Sequence, residues 1–285
     1  MSRQATLGTR GSDLALVQAR EAAGRLESAH PGLRVSLKTI RTAGDADQET
    51  SLSTPGILEK GLFTGELGHA LLSGEIDAAV HSLKDLPVEP QPGLVIGAVL
   101  ERADSGDCLA SKHPGGVQGL PQGSLVATCS PRRANQLLAM RPDLRIADIR
   151  GNIGTRFQKL AGTPGLAAFV VARAALVRLG ESVVPPGIEV SAIAEMLPAP
   201  GQGAIAIECR FDDAATLALL SAIDHAPTRL CVDAERALLK SLGGGCAMPL
   251  GALARLEDGK VQIRAAVFEP SGIRWIAGGP HPPHT

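Results

Sequence analysis

The chain has 285 residues, 44% of them hydrophobic and 20% charged, with a formal net charge of −1. That length predicts two or three domains, and that composition supplies enough core to exclude a disordered chain. Balanced charge and only 2% aromatic residues speak against the basic field and stacking platforms of a nucleic-acid binder, so no nucleic-acid partner is expected.

The start, MSRQATLGTRGS, lacks a signal-peptide core, and no apolar run approaches the roughly 18 residues of a membrane span. Cysteines 108, 129, 209, 231 and 246 are odd in number and form no C-x-x-C pair. That pattern suggests neither a disulfide framework nor a zinc knuckle, and it predicts a cytoplasmic chain without a membrane partner.

In chain order, Ala5–Gly8 reads as a strand and GTRGS as a turn. DLALVQAREAAGRLES then reads as a helix with Ser12 as N-cap. VSLKTI is a strand, LFTGELGHALLS a helix, and IDAAVHSL and LVIGAVL are strands. This alternation predicts a largely parallel α/β sheet. The pattern restarts with LVATC, PRRANQLLAM, RIADI, TRFQKLAG, LAAFVVA and RAALVRLG, a second α/β unit of similar size. After PAPGQG, AIAIEC reads as one more strand, followed by the helices DAATLALLSAI and TRLCVDAERALLKSL. PLGALARL, KVQIRAAVF and IRWIAG alternate apolar and polar residues around the turns EDG and EPSG. They predict a three-stranded antiparallel meander in a small α+β domain.

The basic residues are 21 Arg and only 7 Lys, so position decides what the arginines do. In CSPRRANQ, Ser130 caps a helix, Pro131 takes its first position, and Arg132 and Arg133 fall in the first turn. Cations there oppose the helix dipole unless an anion offsets them. IRGNIGTR places Arg150 and Arg156 at another strand-to-helix junction, and GTRGS does the same with Arg10 and Ser12. Three such junctions predict a cleft for a ligand with several carboxylates or phosphates. No G-x-x-x-x-G-K-[ST] occurs, so a nucleotide P-loop is not supported. AVHSLKDLP adds His81, Ser82, Lys84 and Asp85 after a strand. Asp85 reads either as a surface ion-pair partner of Lys84 or as a general acid/base in the arginine cleft. His81 alone carries little weight. SLGGGCAMP places Cys246 in a glycine loop, an odd site for a structural thiol and a suitable one if something large must reach the sulfur.

Six ordered stretches together carry a resemblance: GTRGSDLALVQA, EKGLFTGELGHALLSGEIDAAVHSLKDLP, TCSPRRANQL, RPDLRIADIRGNIGTR, PAPGQGAIAIECR and GGGCAMPLGA. The chain resembles the porphobilinogen deaminase, or hydroxymethylbilane synthase, family. The resemblance implies two periplasmic-binding-protein-like α/β domains and a small α+β C-terminal domain. It implies a discontinuous first domain, 1–101 plus 202–222, a second of 102–201 and a third of 223–285. It also implies a dipyrromethane cofactor thioether-linked to Cys246 and stepwise condensation of four molecules of porphobilinogen with loss of ammonia. Water then releases linear hydroxymethylbilane. Asp85 matches the catalytic aspartate. Ser82, Lys84, Asp85, Thr128, Ser130, Arg132, Arg133 and Arg150 match the cofactor-binding positions. Arg10, Ser12, Arg150, Arg156, Arg178 and Gln202 match substrate-binding positions, and Lys60 and Phe63 fall in the active-site loop. No metal is implied, and a monomer is expected. The family continues past the meander into C-terminal helices, so the resemblance implies a third domain about one helical hairpin short.

Three rival readings stand beside it: an inactive family member, a non-enzymatic two-lobed anion-binding protein, and a thiol enzyme using a Cys–His pair. The second leaves Cys246 unexplained.

Overall fold

The computed structural model describes residues 3–42, 64–244, 248–269 and 271–277. Lys60, Phe63 and Cys246 lie outside the described residues, as do Leu62 and Phe63 of the expected second helix.

The first unit runs β1 (Arg3–Thr9), α1 (Asp13–Ala29), β2 (Leu33–Thr39), α2 (Gly65–Leu72), β3 (Ala78–Ser82) and β4 (Leu94–Val99). The second runs β5 (Asp107–Ser111), β6 (Leu125–Ala127), α3 (Pro131–Met140), β7 (Arg145–Ala147), α4 (Ile153–Gly162), β8 (Leu166–Ala172), α5 (Arg173–Leu179) and β9 (Glu189–Ala192). Then follow β10 (Ile205–Arg210), α6 (Ala214–Ser221), α7 (Ala226–Ser241), β11 (Leu250–Glu257), β12 (Lys260–Glu269) and β13 (Gly272–Ala277).

The strands form sheets ordered β2-β1-β3-β10-β4, β7-β6-β8-β5-β9 and β11-β12-β13. Each five-stranded sheet is largely parallel, as expected, with one strand reversed, β10 in the first and β5 in the second. β1 is parallel to β2 and β3, but β10 enters antiparallel to both β3 and β4. In the second sheet β6 is parallel to β7 and β8, while β5 runs antiparallel to β8 and β9. The cause is the exchange of strands. After β4 the chain crosses into the second sheet, and β10 returns to the first, between β3 and β4. The two crossings touch: Leu100 N donates to Ile205 O at 3.0 Å, and Ala103 N to Gly203 O at 3.3 Å.

Helices cover both faces of each large sheet, as a sheet apolar on both faces requires. On the first, Ala19, Ala22 and Leu26 of α1 pack with Leu7, Val80 and Ile207, and Leu67 and Leu71 of α2 pack with Ile76 and Ala79. On the second, Leu137 of α3 meets Val126 and Val170. Phe157 of α4 meets Phe169 edge-on, with centroids 4.9 Å apart. Each such fully buried side chain contributes roughly 1.5–3 kcal/mol from removal of apolar surface from water. The small sheet packs Leu250, Ala252 and Val267 on Leu239 of α7. Its other face meets Leu197 through Ala266 and Phe268.

Candidate active-site cleft

The expected site residues gather at the carboxyl ends of parallel strands, where open α/β sheets bind ligands. Arg10 and Ser12 follow β1, and Ser82, Lys84 and Asp85 follow β3. Thr128 and Ser130 follow β6, and Arg150 follows β7.

Each junction is fixed by its own capping chemistry. Ser12 Oγ accepts from Ala15 N at 3.4 Å, Ser130 Oγ from Arg133 N at 3.4 Å, and Asn152 Oδ1 from Thr155 N at 2.8 Å. These caps satisfy helix-start N–H groups and hold the preceding loops in place. Thr128 is buried, and its Oγ1 accepts from Ser130 N at 3.2 Å.

An open cleft lies on the first-sheet side, lined by Arg10, Ser12, Gln18, His81, Ser82 and Asp85 among others. Asp85 is exposed at the end of a short 3-10 turn, Leu83–Asp85. Ser82 Oγ is held by the Gln18 side-chain amide at 2.9 and 3.1 Å. His81 is buried, with Nε2 3.4 Å from Glu208 Oε2.

Facing groups come from the second sheet. Arg132 and Arg133 are both buried, and they converge on one carboxylate that sequence reasoning missed, Asp107 at the start of β5. Arg132 Nη1 lies 2.8 Å from Asp107 Oδ2, and Arg133 Nη2 lies 2.6 Å from Oδ1. The anion demanded by two arginines at a helix start is therefore supplied in part by the chain itself. Burial would raise the Asp107 carboxyl, but Arg132, Arg133 and Lys84 outweigh it and hold it well below the usual carboxylate range.

Gln202 is fully buried and bridges the two sheets. Its Oε1 accepts from Lys84 Nζ at 3.1 Å, and its Nε2 donates to Ser105 O at 2.7 Å and to Asp107 Oδ1 at 2.9 Å. Burial, and then the Arg133 charge, push the Lys84 ammonium down to about 8. Burial and Arg133 also lower the Arg156 guanidinium, against a raising effect of Asp85. Arg156 Nε donates to Gly151 O at 2.9 Å. Arg150 Nη1 is buried with no hydrogen-bond partner among the described residues. An unmet buried donor beside a crowd of cations suits a carboxylate-rich ligand.

Arg178 stands apart. Its Nε lies 3.1 Å from Glu21 Oε2, and both terminal nitrogens lie 3.2 Å from Gly203 O. It joins α5 to α1 and to the returning crossing. Of the other cysteines, Cys108, Cys209 and Cys231 are buried in β5, β10 and α7. Cys129 is half-buried just past β6, where its thiol donates to Ile149 O at 2.9 Å. No helix among the described residues is long and apolar enough to cross a membrane, and none of their His, Cys, Asp and Glu side chains form a metal-binding group.

Comparison with known proteins shows the family. The family model "Porphobilinogen deaminase, dipyromethane cofactor binding domain" matches residues 5–218, and "Porphobilinogen deaminase, C-terminal domain" matches residues 229–278. A porphobilinogen deaminase of Syntrophomonas wolfei is 47% identical over 277 residues, covering 97% of this chain and 89% of that one. Another, of Chloroherpeton thalassium, is 45% identical over 278 residues, covering 97% and 86%. Among solved structures, the methionine binding protein MetQ aligns with 85% of this chain and 96% of its own at 17% identity and a TM-score of 0.45. With matched models spanning both large sheets and the meander, the chain belongs to the porphobilinogen deaminase family.

Proposed function

We propose that this chain is a hydroxymethylbilane synthase with Asp85 as its catalytic group. It joins four porphobilinogen molecules head to tail, releases ammonia at each step, and frees the linear tetrapyrrole by hydrolysis. The observation that carries the site assignment is the meeting of Asp85, Lys84, Arg132, Arg133, Arg150 and Arg156 at the strand ends of two facing sheets.

These residues fit a dipyrromethane bearing carboxylate arms. The partnerless Nη1 of Arg150 and the convergence of Arg132, Arg133 and Lys84 on the single carboxylate Asp107 call for such anions. When bound, the group supplies the pyrrole end from which the chain grows. Cys246 anchors it through sulfur. Ser82, Lys84, Thr128, Ser130, Arg132, Arg133 and Arg150 hold it. Arg10, Ser12, Arg150 and Arg156 orient the substrate's acetate and propionate arms. Arg178 and Gln202 complete the substrate-binding set, held in place by Glu21, Gly203, Lys84 and Asp107. Lys60 and Phe63 belong to the loop over the site. Asp85 delivers a proton to the departing amine and receives one from the pyrrole, a role that suits an exposed carboxylate ringed by cations. Domain bounds of 1–101 with 202–222, 102–201 and 223–285, a monomeric state and a cytoplasmic location complete the proposal.

Asp85→Ala tests it. The variant is expected to keep the covalent group by mass and to lose nearly all turnover of porphobilinogen. Near-normal turnover would remove Asp85 from the mechanism.

A further inference from the structure

We propose that Asp107 is a positioning residue for the reaction: it braces Arg132 and Arg133 and, through Gln202, sets Lys84. This rests on the placement of the site given above.

The geometry is specific. Asp107 is 1% exposed. Its Oδ1 accepts from Arg133 Nε at 3.1 Å, from Arg133 Nη2 at 2.6 Å and from Gln202 Nε2 at 2.9 Å. Its Oδ2 faces Arg132 Nη1 at 2.8 Å. The same Gln202 receives Lys84 Nζ. One carboxylate on the second sheet thus reaches three cations, one of them carried by the first sheet.

Stability alone explains this poorly. A buried ion pair roughly breaks even with apolar packing, and arginines at a helix start oppose the dipole. A ligand-binding role explains it well. Long arginine side chains lose affinity when they must be ordered on binding, and bonds that order them beforehand remove that cost. Arg133 is held through all three guanidinium nitrogens, since Nη1 also donates to Val170 O at 3.1 Å. Arg132 is held through Nη1, which lies 2.8 Å from Asp107 Oδ2 and donates to Leu197 O at 2.6 Å. Asp107 also offsets only one of three positive charges, so the cluster stays attractive to anions.

The test compares Asp107→Asn and Asp107→Glu with the unaltered holoenzyme. Three quantities are measured: the porphobilinogen rate constants, the covalent group by intact mass, and Tm against inorganic phosphate concentration. In Asp107→Asn, kcat/KM is expected to fall about 10- to 100-fold, mainly through KM, because the anion-binding groups are misplaced rather than lost. The fraction of chains carrying the covalent group falls as well. Phosphate raises Tm more steeply than in the unaltered protein, because two guanidiniums are released to external anions. Asp107→Glu, which keeps the charge, gives a KM roughly 3- to 10-fold above the unaltered value.

Folded Asp107→Asn with kcat/KM within twofold of normal, or with an unchanged KM and phosphate response, would overturn the proposal. If Asp107→Asn does not fold, Asp107→Glu decides by the same KM and phosphate criteria. Cys246→Ser separates this proposal from the site assignment. A Cys246→Ser chain that still carries the group sinks the assignment. A Cys246→Ser chain that lacks it, with Asp107 variants that behave normally, sinks only the role of Asp107.

Discussion

Arg102 and Glu235 form a bidentate pair, Nη1 to Oε1 at 2.7 Å and Nη2 to Oε2 at 3.1 Å, where all three sheets meet. Arg102 sits on the outgoing crossing, and its Nε donates to Gln202 O on the returning one at 2.8 Å. Glu235, on α7, is fully buried and also accepts from Gly201 N at 2.7 Å and from Ala254 N of β11 at 2.8 Å. One carboxylate therefore ties the two crossings to the meander. Glu235→Leu is expected to lower stability by about 3 kcal/mol, because it strands a half-buried guanidinium and two N–H groups. The double variant with Arg102→Met should recover only part of that loss, since the two N–H groups stay unmet. Urea midpoints of the two variants check this. Full recovery in the double variant would mean that the backbone bonds to Glu235 contribute nothing.

Gly203 has φ +90°, and a Cβ there would stand 2.5 Å from Ala103 O. Both the left-handed backbone and the clash fall where the crossings touch. Gly203→Ala is expected to cost about 1–3 kcal/mol from conformation alone and more from displaced backbone. The displacement also moves the carbonyl that receives Arg178. Thermal unfolding and porphobilinogen turnover should both fall. An alanine variant with unchanged Tm would contradict this geometry.

Lys84 gives a pH signature. Its folded-state value of about 8 lies below the ordinary 10.5. Between these values the unfolded chain binds a proton that the folded chain does not, so stability rises with pH across that window. Below about 8 the folded chain carries the full penalty of the buried charge. In a Cys246→Ser background, which removes the anchored group, Lys84→Met should therefore be more stable than its parent at pH 7. The gap should shrink towards pH 10. Urea midpoints at both pH values check the sign, and a gap that widens with pH would refute it.

Much of this was legible in the sequence. α3 begins at Pro131, as expected, because Ser130 and Pro131 are strong local start signals and the structure uses both. β8 matches its apolar run, Leu166–Ala172, since all seven residues are buried. β5 and β9 were not foreseen. DCLAS follows a polar loop and EVSA follows a proline turn, and both become strands by pairing with each other and with β8 rather than by local pattern. The resemblance implied that β10 joins the first domain, but its reversed direction escaped for the same reason: insertion between β3 and β4 is a long-range event. Asp107 carried no motif. The available signal was the unbalanced arginine pair, which demanded an anion. Sequence reasoning assigned that anion to a ligand, while the fold brings a carboxylate from 25 residues away.

The central claim is that Cys246 anchors a pyrrole pair held by the arginine cleft. Its most direct measurement is the intact mass of the purified, denatured chain beside that of Cys246→Ser. The expected result is added mass equal to two condensed pyrrole units in the first and none in the second. A chain that is unmodified as purified and stays so after incubation with porphobilinogen would contradict it.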